Sequence, residues 1–378
     1  MIEKKFNVFY IGAFRFPNED AASKRVLSIG QVLNDIGHNV TFLSGEQGDC
    51  SEKKYKGFSY FSQNELDHKA VSLYAKLCFF FNSGKNTIKW LVKHNEEVDK
   101  IIIYNSNYIF FRRVSNFCKK YNKELIVDCT EWYDGSHLPG GRFGIISIDN
   151  FIKMYFGFSR VKKMIVISSY LEFFFKSKGV HTVRIPPLNA FVHKNITFKD
   201  ESSVIRLIYA GSPGQKDDLI SILQALNCDI FDNRFRITIF GVDSSFVPRE
   251  YLKDNVFFKG RVSHDEVINE YEHSDFSFLI RPNLRYANAG FSTKFVESNF
   301  YGIPVITTET SDLKDYIING LNGFIMPCDN VVENIKNVLL SIYNMNNIEI
   351  QKMKSQAYKL STKFDQVNYI EVLKKIIN

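Results

Sequence analysis

Residues 289–308 read Ala-Gly-Phe-Ser-Thr-Lys-Phe-Val-Glu-Ser-Asn-Phe-Tyr-Gly-Ile-Pro-Val-Ile-Thr-Thr. That order spells a loop, a short helix, a tight turn and a buried strand. Gly290 admits a close backbone approach that a side chain would block. Ser292 or Thr293 can cap the helix, whose first N–H groups then point outward. Such an end suits an anion, because free donors and helix dipole act together. Lys294 in the first turn opposes the dipole unless an anion is bound; a solvated lysine is the alternative. Glu297 places a carboxylate one turn further along. Gly302-Ile303-Pro304 stops the helix and Val305-Ile306 opens a strand.

On either side of this stretch the chain alternates strand-like and helix-like segments. Phe6–Ile11 is a strand run closed by Gly12, and Ala21–Ile36 is helical, with Ala22, Val26, Ile29, Leu33 and Ile36 on one face. Further strands are predicted at 40–43, 100–103, 124–128, 164–167 and 182–185. The pattern restarts at Val204–Ala210, closed by Gly211, with a helix over 217–226 and strands at 235–240, 256–258, 276–280 and 304–307. Ser263-His264-Asp265-Glu266 has capping-box spacing. Ser311–Ile318 reads as a helix closed by Asn319-Gly320. Alternation of this kind predicts an α/β protein of two Rossmann-like domains with parallel sheets. The predicted boundaries are 1–187 for the first domain, 188–203 for a linker, 204–360 for the second domain and 361–378 for a terminal helix.

Composition sets outer bounds. The chain has 378 residues, enough for about two domains. Apolar content of 45% with 24% charged residues is an ordinary globular balance. No apolar run reaches the ~18–20 residues needed to span a bilayer, and no secretory signal is read at Met1–Phe6. Cysteines 50, 78, 118, 129, 228 and 328 are scattered, which points to reduced thiols in a cytoplasmic protein rather than a disulfide framework or zinc knuckle. No histidine–carboxylate cluster has metal spacing, so no metal and no other cofactor is expected. The net charge of +7 fits a phosphorylated substrate or an anionic membrane face; no nucleic-acid partner is expected.

Parallel α/β sheets bind ligands at the carboxyl ends of their strands, which selects particular loops. Gly211-Ser212-Pro213-Gly214-Gln215-Lys216 follows one strand and suits a phosphate, or is an ordinary turn with a solvated lysine. Arg281 follows another; it can hold phosphate bidentately or pair with a nearby carboxylate. Asp128-Cys129-Thr130-Glu131-Trp132-Tyr133-Asp134 sets acids and aromatics at a strand end, fit to bind sugar hydroxyls and stack on sugar rings. Capping of a helix by Asp128 or Glu131 is the plainer alternative. His137 is a low-weight neighbour. Residues 76–94 and 151–163 mix bases with aromatics, so they are membrane-surface helices or core helices with a basic face.

The 289–308 stretch resembles the donor-site motif of the retaining nucleotide-sugar glycosyltransferases of the GT-B fold, family 4. That pattern is Glu-Gly-Phe-Gly, four variable residues, Glu, then Gly-(Leu/Ile)-Pro-Val-Ile. Gly290-Phe291, Glu297 and Gly302-Ile303-Pro304-Val305-Ile306 match it, while the first acid falls on Ala289. The resemblance implies two sheets facing a central cleft, with the terminal helix crossing back onto the first domain. It assigns Gly211, Ser212, Gly214, Lys216, Arg281, Ser292, Thr293 and Lys294 to the donor diphosphate, Glu297 to the ribose and the segment around Arg261 to the base, with Gly290 and Phe291 also in the donor site. Asn288, beside Ala289, could serve the sugar hydroxyls. Gly12, Arg15 and Asn18 correspond to the acceptor loop and Arg25 to the basic helix after it, joined by Asp128, Glu131 and Trp132. The implied activity moves a sugar from a nucleotide-diphosphate sugar, UDP favoured, to a glycan or lipid-linked oligosaccharide. The setting would be cell-surface polysaccharide biosynthesis, such as capsule or O-antigen, at the inner face of a bacterial membrane. Loss of the first acid leaves open a catalytically impaired homologue that binds the same ligands as a partner subunit.

Overall fold

The structure is a computed structural model, and it describes residues 4–17, 20–66, 72–189, 203–211 and 217–378. The chain divides into two compact units. One is Met1–Ala190 with Gln366–Asn378, and the other is Phe191–Asp365.

The first unit is built on eight strands. They are β1 (Asn7–Gly12), β2 (Asn39–Ser44), β3 (Lys53–Tyr55), β4 (Phe58–Ser62), β5 (Lys100–Tyr104), β6 (Glu124–Cys129), β7 (Lys163–Val166) and β8 (His181–Arg184). Their order is β3-β4-β2-β1-β5-β6-β7-β8, and every pairing is parallel except β3 with β4. That hairpin turns on Lys56-Gly57, both at positive φ, as a two-residue turn matching strand twist requires. No expectation covered it. The helices here are α1 (Ala21–Asp35), α2 (Leu73–Asn82), α3 (Lys85–Lys93), α4 (Tyr108–Lys120), α5 (Ile145–Ile152) and α6 (Ser169–Lys176). On one sheet face Val8, Tyr10, Ile102 and Ile126 meet Val26, Ile29 and Leu33 of α1 and the terminal residues Leu373, Ile376 and Ile377. Alternate strand residues point the other way, as the two-residue period demands, and Phe9 meets Trp90 of α3 at 5.5 Å between ring centroids.

The second unit has β9 (Ile205–Ala210), β10 (Phe235–Phe240), β11 (Val256–Gly260), β12 (Phe276–Leu279), β13 (Val305–Thr308) and β14 (Gly323–Met326). The order is β11-β10-β9-β12-β13-β14, all parallel. Its helices are α7 (Leu219–Leu226), α8 (His264–His273), α9 (Arg285–Ala289), α10 (Thr293–Phe300), α11 (Val331–Tyr343) and α12 (Asn347–Ser361); α13 (Ile370–Ile377) returns to the first unit. Leu207, Tyr209, Ile237 and Phe278 pack against Leu219, Ile222 and Leu223 of α7 and Ile335 and Leu339 of α11. The capping box at α8 is formed, with Ser263 and Glu266 each serving the other's backbone N–H.

The parallel α/β reading therefore holds in both units, while 311–318 is corrected. That segment is a turn with one 3₁₀ stretch, Leu313–Asp315, because the Asn322 side chain takes the Ile318 N–H at 2.8 Å and donates to Tyr316 O at 3.0 Å.

Candidate functional site

Three strand ends of the second unit converge on one carboxylate. Asp217 lies just before α7, its side chain 4% exposed, and it accepts from two cations. Arg281, at the end of β12, donates from Nε to Oδ1 at 3.0 Å. Lys294, in the first turn of α10, donates from Nζ to Oδ2 at 2.5 Å. Thr308, closing β13, fixes the arginine's backbone from both sides, accepting from Arg281 N at 2.9 Å and donating to Arg281 O at 2.6 Å. Gly211, closing β9, leaves the space that Lys294 fills; a Cβ there would collide with its ammonium. The ammonium also lies 5.6 Å from the Tyr209 ring centroid.

The electrostatics are unbalanced. Burial works to raise the Asp217 pKa, yet Lys294 and Arg281 hold it below the usual carboxylate value. Burial lowers the Lys294 pKa, and Asp217 does not fully restore it because Arg281 stands beside it. Two cations share the one carboxylate they both touch, and the next acid that acts on Lys294 is Glu297, further along α10. An anion bound between the two cations would relieve their mutual repulsion.

The start of α10 adds donors. Ser292 is the N-cap, but its hydroxyl makes no cap bond, and its Oγ is buried without a partner among the described residues. This corrects the capping expectation for Ser292: the hydroxyl reaches none of the N–H groups it was to satisfy. Thr293 is the first helical residue. Glu297 follows one turn on, half-buried. Its charge pulls the Lys294 pKa up, and after burial it is the main reason the Tyr301 phenol is pushed up to about 12.

Three donor-side expectations change. Phe291 is a core residue, its ring 6.0 Å from Phe295, 5.6 Å from Tyr316 and 6.0 Å from Phe364, so its side chain anchors the loop from below. Gly290 keeps an extended backbone, and its carbonyl accepts from Ser311 Oγ at 2.5 Å. Asn288 has its amide consumed, donating to Asn283 Oδ1 at 2.7 Å and Leu284 O at 3.2 Å while accepting from Ser311 N at 3.0 Å. It holds two loops together, which corrects its assignment to the sugar. Ala289 next to it is fully buried. Arg261 is exposed just past β11. Ser212, Gly214 and Lys216 lie outside the described residues.

Asp217 and Thr308 were not among the expected site residues. Asp217 was legible only as the acid next to Lys216. Nothing in the sequence pairs it with residues 64 and 77 positions away.

The first unit departs further from expectation. Arg25 is 5% exposed and Asp128 fully buried. Arg25 grips both carboxylate oxygens, Nη2 to Oδ1 at 2.7 Å and Nε to Oδ2 at 2.9 Å, and donates from Nη1 to Ile185 O at 3.0 Å. The Tyr10 hydroxyl donates to Asp128 Oδ2 at 2.5 Å. These groups saturate one another, so the acceptor role read for Arg25 and Asp128 is corrected to a buried structural network. Trp132 is 3% exposed among Tyr155, Tyr170 and Phe174, with centroid distances of 5.5, 6.1 and 4.5 Å. It is a core ring and offers no open face to a sugar. Glu131, half-buried, accepts from the Tyr133 hydroxyl. Gly12, at φ 141°, approaches Tyr104 O so closely that a Cβ would overlap it; strand packing demands this glycine. Arg15 sits at the surface, 3.9 Å from Glu46. Asn18 lies outside the described residues.

Residues 246–360 match the family model of glycosyl transferases group 1. The solved structures complete the picture. A sucrose-phosphate synthase from Thermosynechococcus elongatus superposes with a TM-score of 0.72 at 11% identity, over 98% of each chain. Anabaena HepE, solved in complex with UDP-glucose, gives 0.67 at 13% identity over 98% of each. WaaG, a glycosyltransferase involved in lipopolysaccharide biosynthesis, gives 0.67 at 13% identity over 98% of this chain and 99% of its own. The fold is GT-B. No curated protein matches the chain by sequence. The matched segment contains Arg281, Lys294, Glu297 and Thr308, whereas Gly211 and Asp217 precede it.

Proposed function

We propose that the protein transfers a sugar from a nucleotide-diphosphate sugar to a glycan or lipid-linked oligosaccharide. The observation that carries the proposal is the pair of cations, Arg281 and Lys294, gathered on one carboxylate, Asp217, beside an uncapped helix start, with both cations inside the segment that matches glycosyl transferases group 1. In this reading Arg281, Lys294 and the first N–H groups of α10 hold the diphosphate. They stabilise the charge that develops on it as the glycosidic bond breaks. The Ser292 hydroxyl donates to a phosphate oxygen. Glu297 accepts from the two ribose hydroxyls. Asp217 is a positioning residue that keeps both cations aimed at one point. These cations and the helix dipole do the work of charge neutralisation, so no metal is required, and transfer proceeds with retention. The HepE complexes with UDP and UDP-glucose favour uridine as the base.

A second reading, a catalytically impaired homologue that binds the same ligand as a partner subunit, is favoured by Ala289. A fully buried alanine stands where the resembling motif has an acid. Thermal shifts with UDP, GDP, ADP, dTDP and CMP, each with and without EDTA, test the donor site. One diphosphate should stabilise the protein, EDTA should leave the shift unchanged, and Glu297→Ala should abolish it. No shift with any nucleotide would sink the donor assignment. A shift that EDTA removes would replace the metal-free reading, and a shift without turnover of any matching nucleotide sugar would select the impaired homologue.

A further inference from the structure

Tyr209 sits near the end of β9 with its side chain fully buried. Its direction follows from the strand period. Leu207 and Tyr209 face α7, where Leu219, Ile222 and Leu223 enclose the ring, while Ile208 faces the opposite side with Tyr271 and Ile303. Nothing in that apolar setting asks for a polar group, and a phenylalanine would fill it as well. Yet Tyr209 brings a hydroxyl, and its oxygen is buried with no hydrogen-bond partner among the described residues. A buried donor left unmade is a net loss to stability, and each such group in a folded protein calls for a reason.

The reason lies in what surrounds the hydroxyl. Lys294 Nζ stands 5.6 Å from the ring centroid. Burial pushes the Tyr209 phenol up, and the charges that act on it are Asp217, Arg281 and Asp218, with Asp217 foremost. Asp218 is spent on its own helix, accepting from Ser221 N at 3.0 Å and Ser221 Oγ at 2.6 Å as the N-cap of α7. Asp217 is not full. Oδ1 takes Arg281 Nε and Oδ2 takes Lys294 Nζ, whereas a carboxylate offers about four lone-pair sites. An orphan donor and a carboxylate with spare acceptor sites therefore lie close together without meeting. Both belong to one connection, since Tyr209 ends the strand and Asp217 precedes the helix that follows it.

We propose that Tyr209 is a positioning residue of the donor site, whose hydroxyl takes over Asp217 when a nucleoside diphosphate draws Arg281 and Lys294 toward itself. This role rests on the donor-site reading. Phosphate oxygens and Asp217 compete for the same N–H groups, so the bound diphosphate leaves a buried carboxylate with fewer donors. That state is costly unless another donor arrives. The Tyr209 hydroxyl is already stripped of water and lacks a partner, so the bond it gives to the carboxylate is gained only in the complex. The ring is wedged in the core, and the movement falls to the Asp217 side chain at the start of α7. A structural tyrosine steadies the free protein; this hydroxyl weakens the free protein and strengthens the complex. The two roles differ in sign.

Tyr209→Phe keeps the ring and removes the oxygen alone. Calorimetric titration of wild type and variant with UDP, GDP, ADP and dTDP, beside the melting temperature without ligand, tests the role. The variant should melt at the wild-type temperature or slightly above it, because the orphan hydroxyl is gone. The Kd of whichever diphosphate binds should rise at least about tenfold, the worth of a hydrogen bond to a charged group. In an Asp217→Ala background the same change should alter Kd less than about twofold, because the carboxylate it serves is absent. An unchanged Kd in Tyr209→Phe would overturn the inference and leave the donor site standing. A clearly lowered melting temperature would overturn it too, since the hydroxyl would then hold the free fold. Equal losses in both backgrounds would break the link to Asp217. If wild type binds none of the four diphosphates, the donor-site reading fails and this role falls with it.

Discussion

Arg25 with Asp128 in the first unit and Arg281 with Asp217 in the second are the same chemical pair, each beside the end of a parallel strand. Their surroundings separate them. Asp128 is fully buried, accepts from a bidentate arginine and a tyrosine, and leaves no charge over. Asp217 is almost as buried, yet it serves two cations whose side chains remain 16 and 26% exposed. The first arrangement is closed and neutral, so it can only hold the fold. The second is open and sets two cations on one carboxylate, so it can hold an anion. Counting charges against partners, and asking which atoms still reach solvent, tells a structural ion pair from a candidate binding site where residue type cannot.

The strongest way to break this contrast is to remove the acid from the closed pair. Asp128→Asn strands a buried arginine, and the expected loss is about 3–5 kcal/mol of unfolding free energy in a urea titration. A loss under about 1 kcal/mol would mean the network is not what holds that region, and the contrast would fall. The open pair should behave in the opposite way. Lys294→Ala should leave the melting temperature nearly unchanged, since Arg281 still neutralises Asp217, and should lower kcat about 10²–10³-fold. A lower melting temperature with full turnover would make Lys294 structural.

A gentler probe is pH. The Asp217 pKa is lower in the folded protein than in the unfolded chain, so its contribution is complete above the unfolded value, about 4, and is lost as pH falls through the folded value. Asp217→Asn should flatten the acid limb of the stability curve below about pH 4. An unchanged limb would show that the two cations do not stabilise the carboxylate. The smallest effect belongs to Ser292. Its hydroxyl has no partner among the described residues, so Ser292→Ala should change stability by less than about 0.5 kcal/mol. The same change should weaken diphosphate binding about two- to tenfold by calorimetry, the worth of one hydrogen bond. Unchanged affinity would remove Ser292 from the phosphate contacts.

Local sequence carried the fold a long way. Each predicted strand has a counterpart in the sheets, because apolar runs of that length have few other solutions in an alternating chain. What escaped was short or locally ambiguous. The hairpin at 53–62 is made of strands only three and five residues long. At 311–318 a helix-like spacing was overridden by one side chain, Asn322, that occupies a backbone N–H.

The site was legible in type and less so in membership. The sequence by itself determined that strand-end loops would carry Arg281, Lys294 and Glu297, because a parallel α/β sheet exposes those ends and a helix start favours anions. Only the tertiary structure decided which charged residues stay available. Arg25, Asp128, Asn288 and Trp132 read as ligand contacts from their chemistry, and packing spends each of them on the protein itself. Asp217 went unread because its partners lie far along the chain. The apolar face of α5 is a further case: its pattern is amphipathic whichever side is buried, and only Ser147 and Asn150 clamping a loop reveals that the apolar side points out. Periodicity fixes which residues share a face. What that face meets is set by contacts between segments distant in sequence, and those exist only once the chain has folded.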